Sequence, residues 1–333
     1  MPLSGMPKFF EDLISWYSME ALALGHALGL RAALLEGPGT AAQIAQRADA
    51  DLRTTDTWLA TMVAAGYATH DKGIYRVDAD QVDFLDGSFT GVDTLALLEF
   101  VPAMGVRFPA VVDVLRSAGA PPPDLYGADF GDAVGRVGAP MFASWLVSDW
   151  IAADTGLLER LSRGCTVVDL GCGGGSAVRV MAAAFPESTF VGIDRNREVL
   201  ERARRSAPGS AEFRTTLPDH YDVAMVLDTF HHLDRPDLVL SQLREGLGND
   251  GVLVVAEPAY EGDLDADTAS RASVIGLTAA LLYCDVEGRG ESTNTHISPR
   301  DGGAALRRAL QDAGFTTVTT HDGAGGYRLY FAR

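Results

Sequence analysis

Apolar side chains recur at helical spacing through residues 9–35, and the Gly37-Pro38-Gly39 that follows closes that run. Thr40-Ala41-Ala42-Gln43 reads as a capping box, because the Thr hydroxyl and the Gln amide can each serve a backbone donor of the other, and it opens a short helix through Ala48. Residues 54–65 (TTDTWLATMVAA) predict a third amphipathic helix ending at Gly66, and residues 67–69 and 74–77 flank a polar turn as a two-stranded wing. Helix, helix, helix, hairpin is a winged-helix order. Residues 101–130 are mixed and include Pro121-Pro122-Pro123, which cannot continue a helix, so they are expected to form a connection. Residues 139–152 resume the helical period, with Phe142, Trp145, Leu146 and Trp150 clustered toward one buried face.

The pattern changes at Thr166. Short apolar runs at 166–170 (TVVDL), 189–193 (TFVGI), 211–215 (AEFRT), 222–227 (DVAMVL) and 251–256 (GVLVVA) alternate with helical stretches, which predicts a doubly wound α/β domain built on a parallel sheet. Ligands of such sheets lie beyond the carboxyl ends of the strands.

Composition narrows the partners. A chain of 333 residues suggests one or two domains, with 47% hydrophobic residues to build a core. Its 45 acids against 27 bases give a formal charge of −18, the wrong sign for a polyanion partner. The wing region agrees: Arg47, Arg53, Lys72 and Arg76 are outnumbered by Asp49, Asp51, Asp56, Asp71 and Asp78, and the third helix holds no base after Arg53. A recognition helix needs Arg or Lys, so a dimer-forming module is expected here and no nucleic acid. Cys165, Cys172 and Cys284 form no CxxC and no Cys-His spacing, in keeping with a reducing cytoplasm. The first residues lack a basic and apolar leader pattern, and no run approaches eighteen apolar residues, so neither secretion nor a membrane is expected.

The candidate chemistry begins after the first strand of the sheet, at Asp169-Leu170-Gly171-Cys172-Gly173-Gly174-Gly175-Ser176. Glycines in a strand-to-helix turn let backbone approach a ligand where a Cβ would collide. Asp194 ends the second strand, where a carboxylate can accept from two ribose hydroxyls, so the pair specifies a nucleoside site. A dinucleotide fingerprint would place glycine where Ser176 stands, and Asp169 is awkward beside a pyrophosphate but suited to a cationic ligand.

The pattern D-x-G-x-G-x-G, with an acid 23 residues after Gly171, resembles motif I and the following acidic motif of class I S-adenosylmethionine-dependent methyltransferases. Residues 222–233 (DVAMVLDTFHHL), 244–258 (REGLGNDGVLVVAEP) and 309–315 (ALQDAGF) look like later segments of that superfamily. With the winged-helix start, the chain is similar to small-molecule methyltransferases whose first domain pairs two subunits. The resemblance implies a winged-helix dimerisation domain at 1–100, a helical linker at 101–159, and a Rossmann-like domain at 160–333 of strand order 3-2-1-4-5-7-6 with the last strand antiparallel. It implies S-adenosylmethionine as cofactor, with Asp169, Gly171, Cys172 and Gly173 around the methionine part, Asp194 on the ribose, and Arg195 and Asp228 beside them. The third strand departs from the family, which usually has Gly-Asp there; this chain has Thr215 and Thr216, whose hydroxyls can still accept from adenine.

Methyl transfer requires alignment and, for a weak nucleophile, removal of a proton. His231 matches the general base of O-methyltransferases with this architecture, His232 replaces their Asp, and Glu257 after the fifth strand can orient a histidine or bind substrate. The long connection 259–300 carries Tyr283, Asp285, Arg289, Glu291 and His296 and is expected to shape a small-molecule pocket. His296 with His231 and His232 are donors of the kind that bind iron or zinc, but they lack ligand spacing, and no metal is assigned. The readings are therefore methyl transfer to a small-molecule O, N or acidic C, a non-methylating S-adenosylmethionine enzyme such as a cyclase or decarboxylase, and a ligand-sensing winged-helix regulator.

Overall fold

The computed structural model describes residues 7–87, 92–117, 119–122, 125–290 and 295–333; Pro123 and Glu291 lie outside the described residues. The chain divides into two compact units, Met1–Val106 and Arg107–Arg333.

The first unit opens with helices α1 (Lys8–Ala27) and α2 (Leu30–Leu35). The run expected to be one helix over 9–35 is broken at Gly29, whose φ of 73° is the left-handed conformation that ends a helix. Next come α3 (Ala41–Ala48), opened by the expected capping box of Thr40 and Gln43, and α4 (Leu52–Ala65), which is capped by Asp51 and starts two residues earlier than expected. The wing is β1 (Ala68–Asp71) paired antiparallel with β2 (Ile74–Val77). Leu30, Ile44, Trp58, Leu59 and Met62 form this unit's core with α5 (Val82–Asp86) against it through Leu85. The Trp58 indole donates to the Ala21 carbonyl at 2.8 Å, and a Cβ on Gly25 would lie 2.3 Å from that ring, so Gly25 allows α1 and α4 to close. One face of α1 stays open: Phe9, Phe10, Ile14, Trp16 and Tyr17 are exposed.

Helix α6 (Thr94–Ser117) replaces much of the expected connection. Pro102 and Pro109 lie inside it, so proline alone did not mark a loop. By length and composition α6 could cross a membrane, but Arg107 within it donates to the Tyr126 carbonyl at 2.8 Å and lies over the Phe130 ring, which builds it into a folded unit. Helix α7 (Gly127–Met141) runs on into a π-helical stretch, Phe142–Ile151, whose Leu146, Trp150 and Ile151 are core residues of the second unit.

The second unit is a seven-stranded sheet with helices on both faces. After α8 (Thr155–Arg163), the chain forms β3 (Thr166–Leu170), α9 (Ser176–Ala184), β4 (Thr189–Ile193), α10 (Arg197–Arg205), β5 (Ala211–Arg214), β6 (Tyr221–Leu227), α11 (Pro236–Gly246) and β7 (Leu247–Pro258). Three short helices follow, α12 (Leu264–Asp267), α13 (Ser273–Ala279) and α14 (Asp285–Glu287), then α15 (Gly302–Asp312) and the hairpin β8 (Val318–Gly323) and β9 (Tyr327–Ala332). The order is β5-β4-β3-β6-β7-β9-β8, with the last strand, β9, antiparallel to both of its neighbours, β7 and β8, as the resemblance implies. The register sets Asp169 of β3 beside Gly192 of β4 and Met225 of β6, so the carboxyl ends of the central strands share one rim.

Candidate active site

The glycine loop leaves β3 with Gly171 at φ 77° and Gly173 at φ 50°. A Cβ on Gly171 would lie 2.0 Å from the Thr229 methyl, so this position needs glycine for both conformation and space. A Cβ on Gly173 or Gly174 would meet nothing within 4 Å, which leaves the inner side of the loop open to a ligand. Asp194 closes the loop: one carboxylate oxygen accepts from the Gly173 N–H at 3.0 Å and the other from the Asn196 N–H at 2.8 Å. A carboxylate offers about four lone-pair sites, so two remain for ribose hydroxyls.

Asp169 is buried, and its Oδ2 finds no hydrogen-bond partner among the described residues. Burial, with the nearby charge of Asp194, pushes its pKa up to about 7. A buried carboxylate oxygen without a partner suits a cation. Burial, with the charges of Asp169 and Asp194, also pushes the Cys172 thiol up, so Cys172 is a neutral lining group. Phe213 of β5 stacks under the loop, where a Cβ on Gly175 or Gly192 would strike its ring at 2.7 and 2.5 Å. Thr215 is half-buried and Thr216 exposed just beyond β5, while the Arg195 side chain reaches to Glu287 at 3.0 Å.

Beyond β6 the backbone turns sharply. Asp228 adopts φ 55°, a left-handed conformation uncommon for a residue with a side chain; its N–H donates to the Ala256 carbonyl at 2.8 Å, and burial pushes its carboxyl pKa up. Glu257 at the end of β7 is buried and accepts from the N–H groups of Thr229 at 3.1 Å and Phe230 at 2.8 Å, while its other oxygen pairs with Nδ1 of His231. Burial works against a charged His231, yet Glu257 prevails and raises its pKa well above the ordinary range. His232 lies 4.3 Å from His231, ring to ring, with its Nδ1 3.0 Å from Glu287. Burial opposes its charge too, but Cys284 and Glu287 raise its pKa to about 9, and Glu287 is held down to about 2 against its own burial.

The long connection delivers more than pattern suggested. Tyr283 packs on His232 at 4.8 Å, and the Cys284 sulfur lies within 4.8 Å of a nitrogen of both histidines, which hold its pKa down to about 7 in spite of burial. Cys284 and Glu287 carried no sequence signal beyond lying in this segment. His296 is not the third histidine of a cluster: it faces Asp285 at 3.6 Å, and the residues whose donor atoms lie within 4.8 Å of one another are His231, His232 and Cys284. A surface cavity of about 360 Å³, lined by Arg307, His321 and Arg328, lies at the antiparallel edge and holds none of these residues.

Comparisons place this geometry. Residues 143–320 match the family described as methyltransferase domain. Trans-aconitate 2-methyltransferase of Rhizobium rhizogenes is 30% identical over 106 residues, 30% of this chain and 40% of that relative, so the chain matches less than half of the relative's length. Human N-acetylserotonin methyltransferase, solved in complex with S-adenosylmethionine, has a TM-score of 0.71 at 17% identity over 99% of both chains. Mitomycin 7-O-methyltransferase gives 0.71 at 19% identity, over 98% of this chain and 96% of its own. With the family matched across more than half of its length, the chain belongs to the methyltransferase-domain family.

Proposed function

We propose that this protein binds S-adenosylmethionine at the rim of β3 and β4 and transfers its methyl group to a small-molecule acceptor at O, N or acidic C. The observation that carries this reading is the buried Asp169 just ahead of the glycine loop, whose Oδ2 has no hydrogen-bond partner among the described residues. Asp169, Gly171, Cys172 and Gly173 hold the methionine part, Asp194 the ribose, and Thr215 the adenine edge. When bound, the cofactor supplies an electrophilic methyl group on a sulfonium. His231 takes the acceptor's proton at Nε2, since its Nδ1 is engaged by Glu257. The Glu257 charge stabilises the imidazolium that results, and the same carboxylate fixes the turn on which His231 rides. His231 enters turnover as the neutral ring, the form favoured beside a bound cation.

Names of similar proteins support a small-molecule acceptor: they include methyltransferases of trans-aconitate, N-acetylserotonin and (S)-coclaurine. The apolar face of α1 supports a homodimer through the first unit, and the acidic balance supports a cytoplasmic enzyme without a nucleic-acid partner. Methyl-labelled cofactor offered with a panel of phenols, amines and keto acids tests the reading. Label appearing in an acceptor supports it; release of the thioether without transfer points instead to a non-methylating enzyme.

A further inference from the structure

The three groups His231, His232 and Cys284 have a property that proton transfer does not use. Their donor atoms lie within 4.8 Å of one another, two imidazoles and one thiol. Nδ1 of His231 is taken by Glu257, which leaves Nε2 as its free donor, while Nδ1 of His232 lies 3.0 Å from Glu287 but has no hydrogen-bond partner among the described residues. The Cys284 sulfur lies within 4.8 Å of a nitrogen of each ring. Metal-binding histidines are oriented as His231 is, with a carboxylate behind the ring fixing tautomer and direction. We propose that His231, His232 and Cys284 form a binding site for a zinc-class divalent ion, and that the ion blocks His231 as a base.

Donor chemistry selects the ion. A thiolate and two imidazoles suit zinc or cobalt and not magnesium or calcium, which take oxygen. With bonds of about 2.0 to 2.3 Å, tetrahedral donors stand roughly 3.3 to 3.8 Å apart, so closure needs side-chain shifts of about 1 Å. Charge is nearly balanced: the ion and a thiolate sum to plus one, and Glu257 and Glu287 stand behind the rings. Three protein donors leave a fourth position for water or an acceptor oxygen. An ion held at Nε2 of His231 occupies the lone pair that would take a proton, so metal loading and general-base action exclude each other.

The inference builds on the assignment of His231 in the proposed function, but its test does not, because binding is read without cofactor or acceptor. The full-length chain, stripped with a chelator, is titrated with cobalt(II). One ion per chain with a thiolate-to-cobalt charge-transfer band and tetrahedral d–d bands is expected, with zinc displacing the cobalt. Cys284→Ser loses the charge-transfer band and weakens binding at least tenfold. Should that variant fail to fold, alkylation of the wild type followed by mass spectrometry decides: zinc protects Cys284 and leaves Cys165 unprotected. Absence of the band in the wild type, or equal labelling of Cys284 with and without zinc, overturns the site. Methyl transfer lost on zinc loading and restored by chelator supports the regulatory consequence; full activity of the zinc-loaded protein overturns it.

Discussion

Glu257 at the end of β7 pairs with Nδ1 of His231 beyond β6, and the same carboxylate takes the backbone N–H groups of Thr229 and Phe230. One side chain thus sets both the position and the basicity of the candidate base. Glu257→Gln keeps an oxygen for the two N–H groups and removes the charge. We expect kcat to fall about 10- to 100-fold in Glu257→Gln and about 10²- to 10⁴-fold in His231→Ala, with calorimetric affinity for S-adenosylhomocysteine unchanged in both. A loss of affinity equal to the loss of kcat would place these residues in binding and not in proton transfer.

Asp169 gives a pH signature. Its pKa stands near 7 because burial and Asp194 disfavour its charge, so below pH 7 it holds a proton that a cationic ligand must displace. Affinity for S-adenosylmethionine is therefore expected to weaken as pH falls below 7, by up to about tenfold per pH unit, and to level off above 8. Calorimetry in two buffers of different ionisation enthalpy measures the proton released. Asp169→Asn should bind weakly and lose that dependence; an unchanged pH slope in the variant would assign the proton elsewhere.

How much of this was readable from the residues differs between elements. The sheet was legible because alternating apolar runs, the glycine loop and Asp194 are local signals, and the strand order followed from the resemblance they carry. The break at Gly29 was masked by apolar periodicity that continues across it, and α6 was masked because the Pro121-Pro122-Pro123 stretch beyond the helix makes residues 101–130 read together as a mixed connection. The pairing of His231 with Glu257 spans two strand ends, which adjacent parallel strands bring together, so the residues allowed the contact as one of two roles for Glu257 and the fold made it. Cys284 and Glu287 come from a connection with no periodicity, and only folding places them against the histidines.

Gly171 tests the cradle itself. A Cβ there meets Thr229 at 2.0 Å in a backbone conformation that side chains resist. Gly171→Ala should lower the unfolding free energy by about 2 to 4 kcal/mol, read from chemical denaturation, and abolish cofactor binding in the fraction that folds. Wild-type stability and binding in that variant would show that the loop does not hold the ligand closely.

The open face of α1 tests assembly. Trp16 is 51% exposed and Tyr17 60%, and aromatic groups of this size in one patch commonly cover a partner surface. Sedimentation should give a dimer at micromolar concentration and a monomer for Trp16→Asp. A monomeric wild type would refute the pairing.

The central claim is tested most directly by isothermal titration of the purified chain with S-adenosylmethionine, beside Asp194→Ala. The account predicts one site per chain, with the variant weaker by about 1.5 to 3 kcal/mol, the worth of hydrogen bonds to a charged acceptor. No heat of binding to the wild type, or equal affinity in the variant, would contradict it.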